Sequence, residues 1–222
     1  MTPEGIVLNI NKPTGITSYS VVRKVKKITN AKKVGHGGAL DPFASGVLLI
    51  LGGRGATKRF DELSRLKKKY RTVFRLGLQT DTHDINGEMQ RDEHVNVSLD
   101  EIESVIEDYT GDIDQIPPMY SAKKVGGKRL YEYAREGMAV DREPTQVTVY
   151  DIDVEKMEGR DIYFEVTCSS GTYIRALARD IGNGLGTGAV VSELTRTAVG
   201  DYTIDEAIPI ENVEGAWNSI TA

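Results

Sequence analysis

Residues 34–50 read VGHGGALDPFASGVLLI, and the rest of the chain is organised around them. Three glycines surround one histidine, a single acid precedes a proline, and an apolar run follows. Glycine is used where the backbone adopts positive φ or approaches another group closely, and Pro42 pushes Asp41 towards an extended conformation. The pattern predicts a rigid turn that enters a buried strand and displays Asp41 at the floor of a cleft. The alternative is a tight loop in which Asp41 only closes an Asx-turn.

The composition fits one substantial hydrophobic core. The chain has 222 residues, of which 39% are hydrophobic, and this predicts a single domain over residues 1–222. The formal net charge of -5 argues against a bulk polyanion binder, but the basic residues are clustered in segments 23–33, 65–71 and 123–129.

The sequence also indicates the compartment. The single cysteine, Cys168, excludes an intramolecular disulfide and favours a cytoplasmic location. Residues 1–5 lack the pattern of a signal peptide. No apolar run approaches the roughly 20 residues of a membrane span, so we expect no membrane association.

The local patterns predict an α+β fold with a mixed, mainly antiparallel central sheet and flanking helices and loops. We expect a helix with Ser18 as its N-cap, and a strand over residues 67–76 with Tyr70 on its buried face. Ser98 and Glu101 predict the capping box of an amphipathic helix, and the turn at 158–159 predicts a hairpin. Three further expectations are a flexible basic loop at 123–129, a short helix at 191–194 and an acidic tail at 201–214.

Two clusters of side chains are candidates for binding. Asp81, His83, Asp84 and His94 could be read as metal ligands, but their spacing fits no well-defined site, so we expect no metal. Lys69 and Arg71 lie on the opposite face of their strand from an aromatic residue. That arrangement is a platform for base stacking or an ordinary half-buried strand.

Residues 169–175 resemble residues 34–50, because a glycine turn again joins two elements. Here a strand ends, a glycine turns the chain and a helix starts. Arg175 lies near the N-terminus of that helix, where the helix dipole disfavours a cation. A residue placed against its local preference indicates a partner, and Asp41 is the candidate.

Five motifs in series closely resemble those of the TruB family of tRNA pseudouridine synthases. They are KPTGITS at 12–18, GHGGALDPFASGVL at 35–48, KYR at 69–71, PPMYSA at 117–122 and GTYIR at 171–175. The resemblance spans residues 5–200 and implies the pseudouridine synthase fold. It implies isomerisation of the T-loop uridine-55 of tRNA to pseudouridine, with no cofactor and no metal. The chain departs from the usual pattern at Gly37, where Thr is common, and at Ser170, where Lys is usual.

The resemblance implies a role for each matched side chain. Asp41 aligns with the catalytic aspartate, Tyr70 with the tyrosine that stacks on the flipped base, and Arg175 with the arginine paired to the aspartate. His36 aligns with the histidine at the site that the uridine vacates, and Tyr173 lines the pocket. The other expected RNA-binding residues are Lys12, Gly38, Lys69, Arg71 and Lys123. We expect a monomer that binds the T-arm of tRNA and has no C-terminal PUA-like domain.

The implied chemistry agrees with these residue types. The reaction breaks the N1–C1′ bond, rotates the uracil and rejoins it through C5, so it needs one nucleophilic carboxylate and a surface for the extruded base. Glycoside hydrolysis would need a second carboxylate to activate water, which disfavours a nucleoside glycosidase. A non-catalytic tRNA-binding or folding factor that uses the same cleft is the alternative. Whether Asp41 attacks C6 of uracil or C1′ of ribose stays open.

Overall fold

The computed structural model describes residues 5–221, and side chains are described for residues 5–219. The prediction that no signal peptide is present depends mainly on residues 1–4, which lie outside the described residues. The helices and strands are, in chain order, β1 (Ile6–Lys12), α1 (Ser18–Thr29), β2 (Val34–His36), β3 (Ser45–Gly52), α2 (Gly53–Lys58), α3 (Phe60–Ser64), β4 (Lys68–Leu76), β5 (Leu78–Thr80), β6 (Met89–Asp92), α4 (Leu99–Glu107), β7 (Gly111–Gln115), β8 (Lys124–Val125), β9 (Lys128–Arg129), α5 (Leu130–Arg135), β10 (Thr145–Glu158), β11 (Asp161–Cys168), α6 (Ile174–Gly184), β12 (Ala189–Val199), β13 (Tyr202–Thr203), β14 (Ile208–Pro209) and α7 (Val213–Thr221), with a 3-10 turn at Ile210–Asn212.

The chain divides into two compact units. Unit 1 comprises Met1–Arg71 and Leu194–Ala222, and unit 2 comprises Thr72–Glu193. Most strand pairs in both units are antiparallel, and parallel pairs join β1 to β14 and β3 to β12. This confirms the predicted α+β fold with a mixed, mainly antiparallel sheet.

Strand β3 is the centre of unit 1. It pairs antiparallel with β1 from Ile6↔Gly52 to Lys12↔Gly46, and antiparallel with β2. Successive side chains of a strand point to opposite faces. Leu48 and Ile50 accordingly pack in one apolar cluster with α1 and α7, while Val47, Leu49 and Leu51 pack in another with α2 and α3. Burial on both faces explains the uninterrupted apolar run after Asp41.

Helix α1 begins one residue earlier than the sequence predicts. Its N-cap is Thr17, whose hydroxyl accepts from the Ser20 amide at 3.0 Å. Ser18 is the first helical residue and is buried. The predicted N-cap role of Ser18 is therefore wrong, and its hydroxyl is available for a partner outside the helix.

Unit 2 is built on an antiparallel sheet in which β10 pairs with both β11 and β7. The hairpin between β10 and β11 turns at Gly159 with φ 61°, as predicted. Ser98 and Glu101 form the predicted capping box at the start of α4. Helix α6 follows the turn at Gly171 and buries Ile174, Leu177, Ala178 and Ile181.

Three local predictions are wrong. Residues 124–129 form a β8–β9 hairpin rather than a loop without regular structure, because Gly126 and Gly127 supply the positive φ of a tight turn. Residues 191–194 belong to strand β12, which continues on both sides of them from Ala189 to Val199. Residues 201–214 are no simple tail, since they include β13, β14 and the start of α7, whose Val213 and Trp217 are buried.

No helix within residues 5–221 is long and apolar enough to cross a membrane. Within the same residues, no group of three or more His, Cys, Asp or Glu side chains could hold a metal ion.

Candidate active site

Asp41 lies in a tight turn between β2 and β3, which we call the elbow (residues 37–44). The Asp41 carbonyl accepts from the Ala44 amide at 3.2 Å, and the Pro42 carbonyl accepts from the Gly15 amide at 2.7 Å. Gly38 has φ 134°, a conformation that L side chains rarely adopt, although a Cβ there would meet no atom within 4 Å. The predicted turn into a buried strand is confirmed. Glycine is required at residue 38 by the backbone angle and not by lack of space.

Side chains from three other elements hold the backbone of the elbow. The Arg196 guanidinium of β12 donates to the carbonyls of Gly38 and Ala39 at 3.3 and 3.1 Å. The Ser18 hydroxyl of α1 donates to the Leu40 carbonyl at 2.9 Å and accepts from the Leu40 amide at 2.8 Å. The third is Lys12, at the end of β1. Backbone on both sides of Asp41 is thus fixed by groups that are distant in sequence.

Lys12 supports the same turn from inside. It has no exposed surface, and its ammonium donates to the carbonyls of Pro13, Ile16 and Pro42 at 2.8, 2.9 and 3.4 Å. Burial lowers the pKa of Lys12 to about 8, with nearby Asp41 acting in the opposite direction and Arg196 adding to the decrease. Its burial leaves Lys12 no surface with which to contact RNA, and its contacts assign it to the support of the elbow.

His36 is the last residue of β2 and is half-buried. Its Nδ1 accepts from the Gly38 amide at 3.3 Å, so Nδ1 carries no proton and Nε2 is the donor in the neutral ring. Burial is the main cause that lowers the pKa of His36, and the charge of Arg196 adds to it. His36 is therefore neutral at pH 7 and offers one N–H donor beside the elbow.

The predicted base-stacking strand is β4. Tyr70 is buried with 7% exposure, whereas Lys69 is half-buried and Arg71 is exposed. This agrees with the predicted alternation, in which the aromatic residue and the two cations point to opposite faces.

Arg175 lies in the first turn of α6 in unit 2 and is 4% exposed. Its Nη1 and Nη2 atoms donate to the carbonyls of Thr82 and Tyr120, each at 2.8 Å. Its Nη1 also lies 3.7 Å from a carboxylate oxygen of Asp84, which is buried. Asp84, a candidate metal ligand on sequence grounds, instead forms an ion pair with a predicted catalytic residue.

Tyr173 is the N-cap of α6 and is held through its backbone. The side-chain amide of Gln115 accepts from the Tyr173 amide at 2.8 Å and donates to the Tyr173 carbonyl at 3.2 Å. Gln115 is 1% exposed, and it stands two residues before the PPMYSA motif. The sequence does not predict these roles of Gln115, Ser18 and Arg196, because a buried polar residue inside a strand or helix carries no local signal.

His83 has a left-handed backbone with φ 59°, although it is not glycine. The pKa of His83 is lowered to about 4, chiefly by burial and then by the charges of Arg179, Arg175 and Arg142, against which Asp81 acts weakly. His83 is neutral at pH 7, and its environment is cationic and not that of a metal ligand.

Lys123 lies beside β10 rather than on a free loop. Its ammonium donates to the Thr145 hydroxyl and, at 3.4 Å, to the Glu143 carbonyl. The β8–β9 hairpin and α5 that follow carry cation–π pairs, with Arg129 and Arg135 at 5.8 and 5.2 Å from the Tyr131 ring. This segment presents aromatic rings beside positive charge.

Comparison with known proteins identifies the family. A model described as TruB family pseudouridylate synthase (N terminal domain) matches residues 26–174, and one described as tRNA pseudouridylate synthase B C-terminal domain matches residues 175–221. The chain is 49% identical over 212 residues to tRNA pseudouridine synthase B of Alkaliphilus oremlandii, covering 96% of this chain and 71% of that protein. It is 45% identical over 208 residues to the protein of the same name from Salmonella paratyphi B, covering 94% and 66%.

Two solved structures contain a chain of similar fold. The chain is similar to one in a Cbf5-Nop10-Gar1 complex, with a TM-score of 0.75 and 35% identity over 99% of this chain, and it spans 57% of that chain's length. It is also similar to one in an H/ACA RNP bound to a substrate RNA containing 2'-deoxyuridine, with a TM-score of 0.70 and 30% identity over 62% of that chain. Taken with the braced aspartate and the order of the five motifs, these matches show that the chain belongs to the TruB family of pseudouridine synthases.

Proposed function

We propose that this chain converts the T-loop uridine-55 of tRNA to pseudouridine, with Asp41 as the nucleophile. The observation that carries the proposal is the single carboxylate on a braced elbow in a chain that matches the TruB family over most of its length. The chain is an isomerase of RNA, and it needs no cofactor for a reaction that only moves a glycosidic bond from N1 to C5 of the same base.

The proposed roles follow from what each group offers. Asp41 supplies the carboxylate that attacks the uridine and is later released. Tyr70 supplies an aromatic face for the extruded base, and Arg175 and Tyr173 take the roles that their match to the family motif implies. His36, with one N–H donor, occupies the space that the flipped uridine leaves.

The surroundings of the elbow favour isomerisation over hydrolysis. The side chains that hold or flank it in unit 1 are Ser18, His36, Lys12 and Arg196, and none of them is a second acid. A hydrolase of the two-carboxylate type would need such an acid to activate water on the opposite face of the sugar. These neighbours therefore include no second carboxylate of the kind that such a hydrolase uses.

The charge distribution of unit 1 supports tRNA as the partner. Residues 5–40 contain no Asp or Glu, although the whole chain is acidic. Arg23, Lys24, Lys26 and Lys27 are exposed on α1, and within the described residues none of them forms an ion pair. Their charges remain available for phosphate groups, whose neutralisation drives nucleic-acid binding. Ser18, at the start of the same helix, is hydrogen-bonded to the elbow, so the helix that carries this basic face is attached to the turn that holds Asp41.

Gly38, Lys69, Arg71 and Lys123 complete the proposed RNA contacts. We propose that the protein is a monomer and that it is cytoplasmic. Cys168, which is buried and forms no disulfide, supports the second proposal.

Tritium release from a tRNA transcript labelled at C5 of uridine tests the proposed function. The wild-type chain releases tritium, a transcript with U→C at the target position releases none, and Asp41→Asn abolishes release while RNA binding is retained. Binding without release by the wild type would favour the non-catalytic tRNA factor, and free uracil among the products would indicate a glycosidase. Near-normal release by Asp41→Asn would refute the role of Asp41.

A further inference from the structure

Arg196 is a buried cation that no motif of the sequence singles out. It is 2% exposed, and among the described residues it has no carboxylate partner. Its guanidinium donates instead to three backbone carbonyls, Val47 through Nε at 2.7 Å and Ala39 and Gly38 through its two terminal nitrogens. A buried charge is costly unless it is both hydrogen-bonded and paired with an opposite charge. In the part of the chain that the structure describes, Arg196 has only the hydrogen bonds, so a buried arginine at this place needs a physical reason.

The three acceptors lie on the two sides of Asp41. Gly38 and Ala39 precede it in the elbow, and Val47 belongs to β3, which leaves the elbow. The guanidinium is planar and presents its donors in a rigid fork. One side chain therefore fixes the distance and the angle between the backbone that enters the turn and the strand that leaves it.

The backbone of Arg196 is fixed as rigidly as its side chain. Arg196 pairs in register with Gly46 in the parallel β12–β3 ladder, and a Cβ on Gly46 would lie 2.2 Å from the Arg196 carbonyl oxygen. The main chain of Arg196 is thus anchored to β3, and its guanidinium reaches the elbow. Any rearrangement of Gly38 or Ala39 must break hydrogen bonds to a group that cannot follow.

We propose that Arg196 is a positioning residue for the isomerisation, which fixes the place of the Asp41 carboxylate by holding the carbonyls of Gly38 and Ala39 against β3. The inference rests on the proposed function. The hydrogen bonds of Arg196 can affect both the stability of the fold and the rate of the chemical step. The effect on rate can be large by itself, because a misplacement of about 1 Å can cost about 100-fold.

The test compares Arg196→Met and Arg196→Lys with Val199→Ala. Val199 is on the same strand, is 2% exposed and packs in an apolar cluster that contains no residue of the elbow. Its truncation therefore loses stability and leaves the hydrogen bonds of Arg196 in place. For each variant, urea unfolding gives the stability, filter binding gives the Kd for tRNA, and tritium release with enzyme in excess gives the single-turnover rate.

We expect Arg196→Met to lower the single-turnover rate about 100-fold and Arg196→Lys about 10-fold. The Kd of both variants should stay within about threefold of wild type, and Val199→Ala should keep the wild-type rate despite its lower stability.

A rate for Arg196→Met equal to that of Val199→Ala would overturn the inference. Should Arg196→Met fail to fold, Arg196→Lys decides, and a wild-type rate in that variant overturns it. A wild-type chain that releases no tritium overturns the proposed function and this inference together, whereas an active wild type with unaffected Arg196 variants overturns this inference alone.

Discussion

Gly46 and Arg196 approach each other so closely that a Cβ on Gly46 would lie 2.2 Å from the Arg196 carbonyl oxygen. Gly46 also has φ 104°, a backbone angle that L side chains rarely adopt. Gly37, the first residue of the elbow, differs on both counts. A Cβ there would meet Leu49 at 3.4 Å, an ordinary contact, and its φ is not positive. Glycine is therefore required at residue 46 and not at residue 37.

Gly46→Ala should destabilise unit 1 by about 3 kcal/mol or more, because strain at positive φ adds to a clash between two backbones. Gly37→Ala should change the free energy of unfolding by less than about 1 kcal/mol, since the new methyl group makes an ordinary contact and the unfolded chain loses freedom. Urea unfolding followed by the fluorescence of the single Trp217 measures both. Equal stabilities of the two variants would contradict this account of the β3–β12 contact.

The elbow is predictable from the sequence and its supports are not, for a physical reason. The Gly38 and Pro42 effects on Asp41 are local, so the sequence reports them directly. Arg196 reaches Ala39 across 157 positions, and Gln115 reaches Tyr173 across 58. Polar residues such as Arg196 and Gln115 fit the alternation of a strand whether they face solvent or the interior. Only the folded structure shows that their side chains are buried and hydrogen-bonded. The same limit explains residues 191–194, which lie in a strand although their local pattern predicts a helix.

The ion pair between Asp84 and Arg175 leads to a second prediction. Asp84→Asn should lower the single-turnover rate about 10-fold or more while tRNA binding is retained, because Arg175 loses the charge that orients it. Asp180→Asn is the matched control, since Asp180 pairs with Arg179 on the same helix, at 2.7 Å, and Arg179 is not a proposed catalytic residue. The role of Asp84 would be refuted if both variants gave the wild-type rate of tritium release.

His83 should make stability depend on pH between about 4 and 6.5. Its pKa is about 4 in the folded chain and 6.5 ordinarily, so between these values the unfolded chain binds the extra proton and stability falls as pH falls. His83→Asn removes this group and keeps a residue that tolerates left-handed backbone. Between pH 7 and pH 4 the wild type should lose about 2 kcal/mol more than the variant.

The measurement is urea unfolding of both proteins at several pH values. His94→Asn serves as the control, because His94 is exposed and its substitution should leave the wild-type pH dependence in place. Identical pH profiles for wild type and His83→Asn would show that the folded environment of His83 does not disfavour its charge.

The exposed cations of α1 predict how binding depends on salt. Lys26→Gln with Lys27→Gln should weaken tRNA binding and reduce the slope of log K against log salt concentration by about 0.7–0.9 for each phosphate group that is no longer neutralised. The control is Arg91→Gln with Lys156→Gln, which also removes two positive charges, here from residues that already pair with Glu93 and Glu158. Filter binding over a range of salt concentrations separates the two cases, because a general effect of net charge lowers both slopes equally. A smaller slope in the α1 variant alone is expected. Lys26 and Lys27 form no ion pair within the described residues, so their charges can exchange counterions for phosphate. Equal slopes in the two double variants would show that α1 is an ordinary solvated helix face.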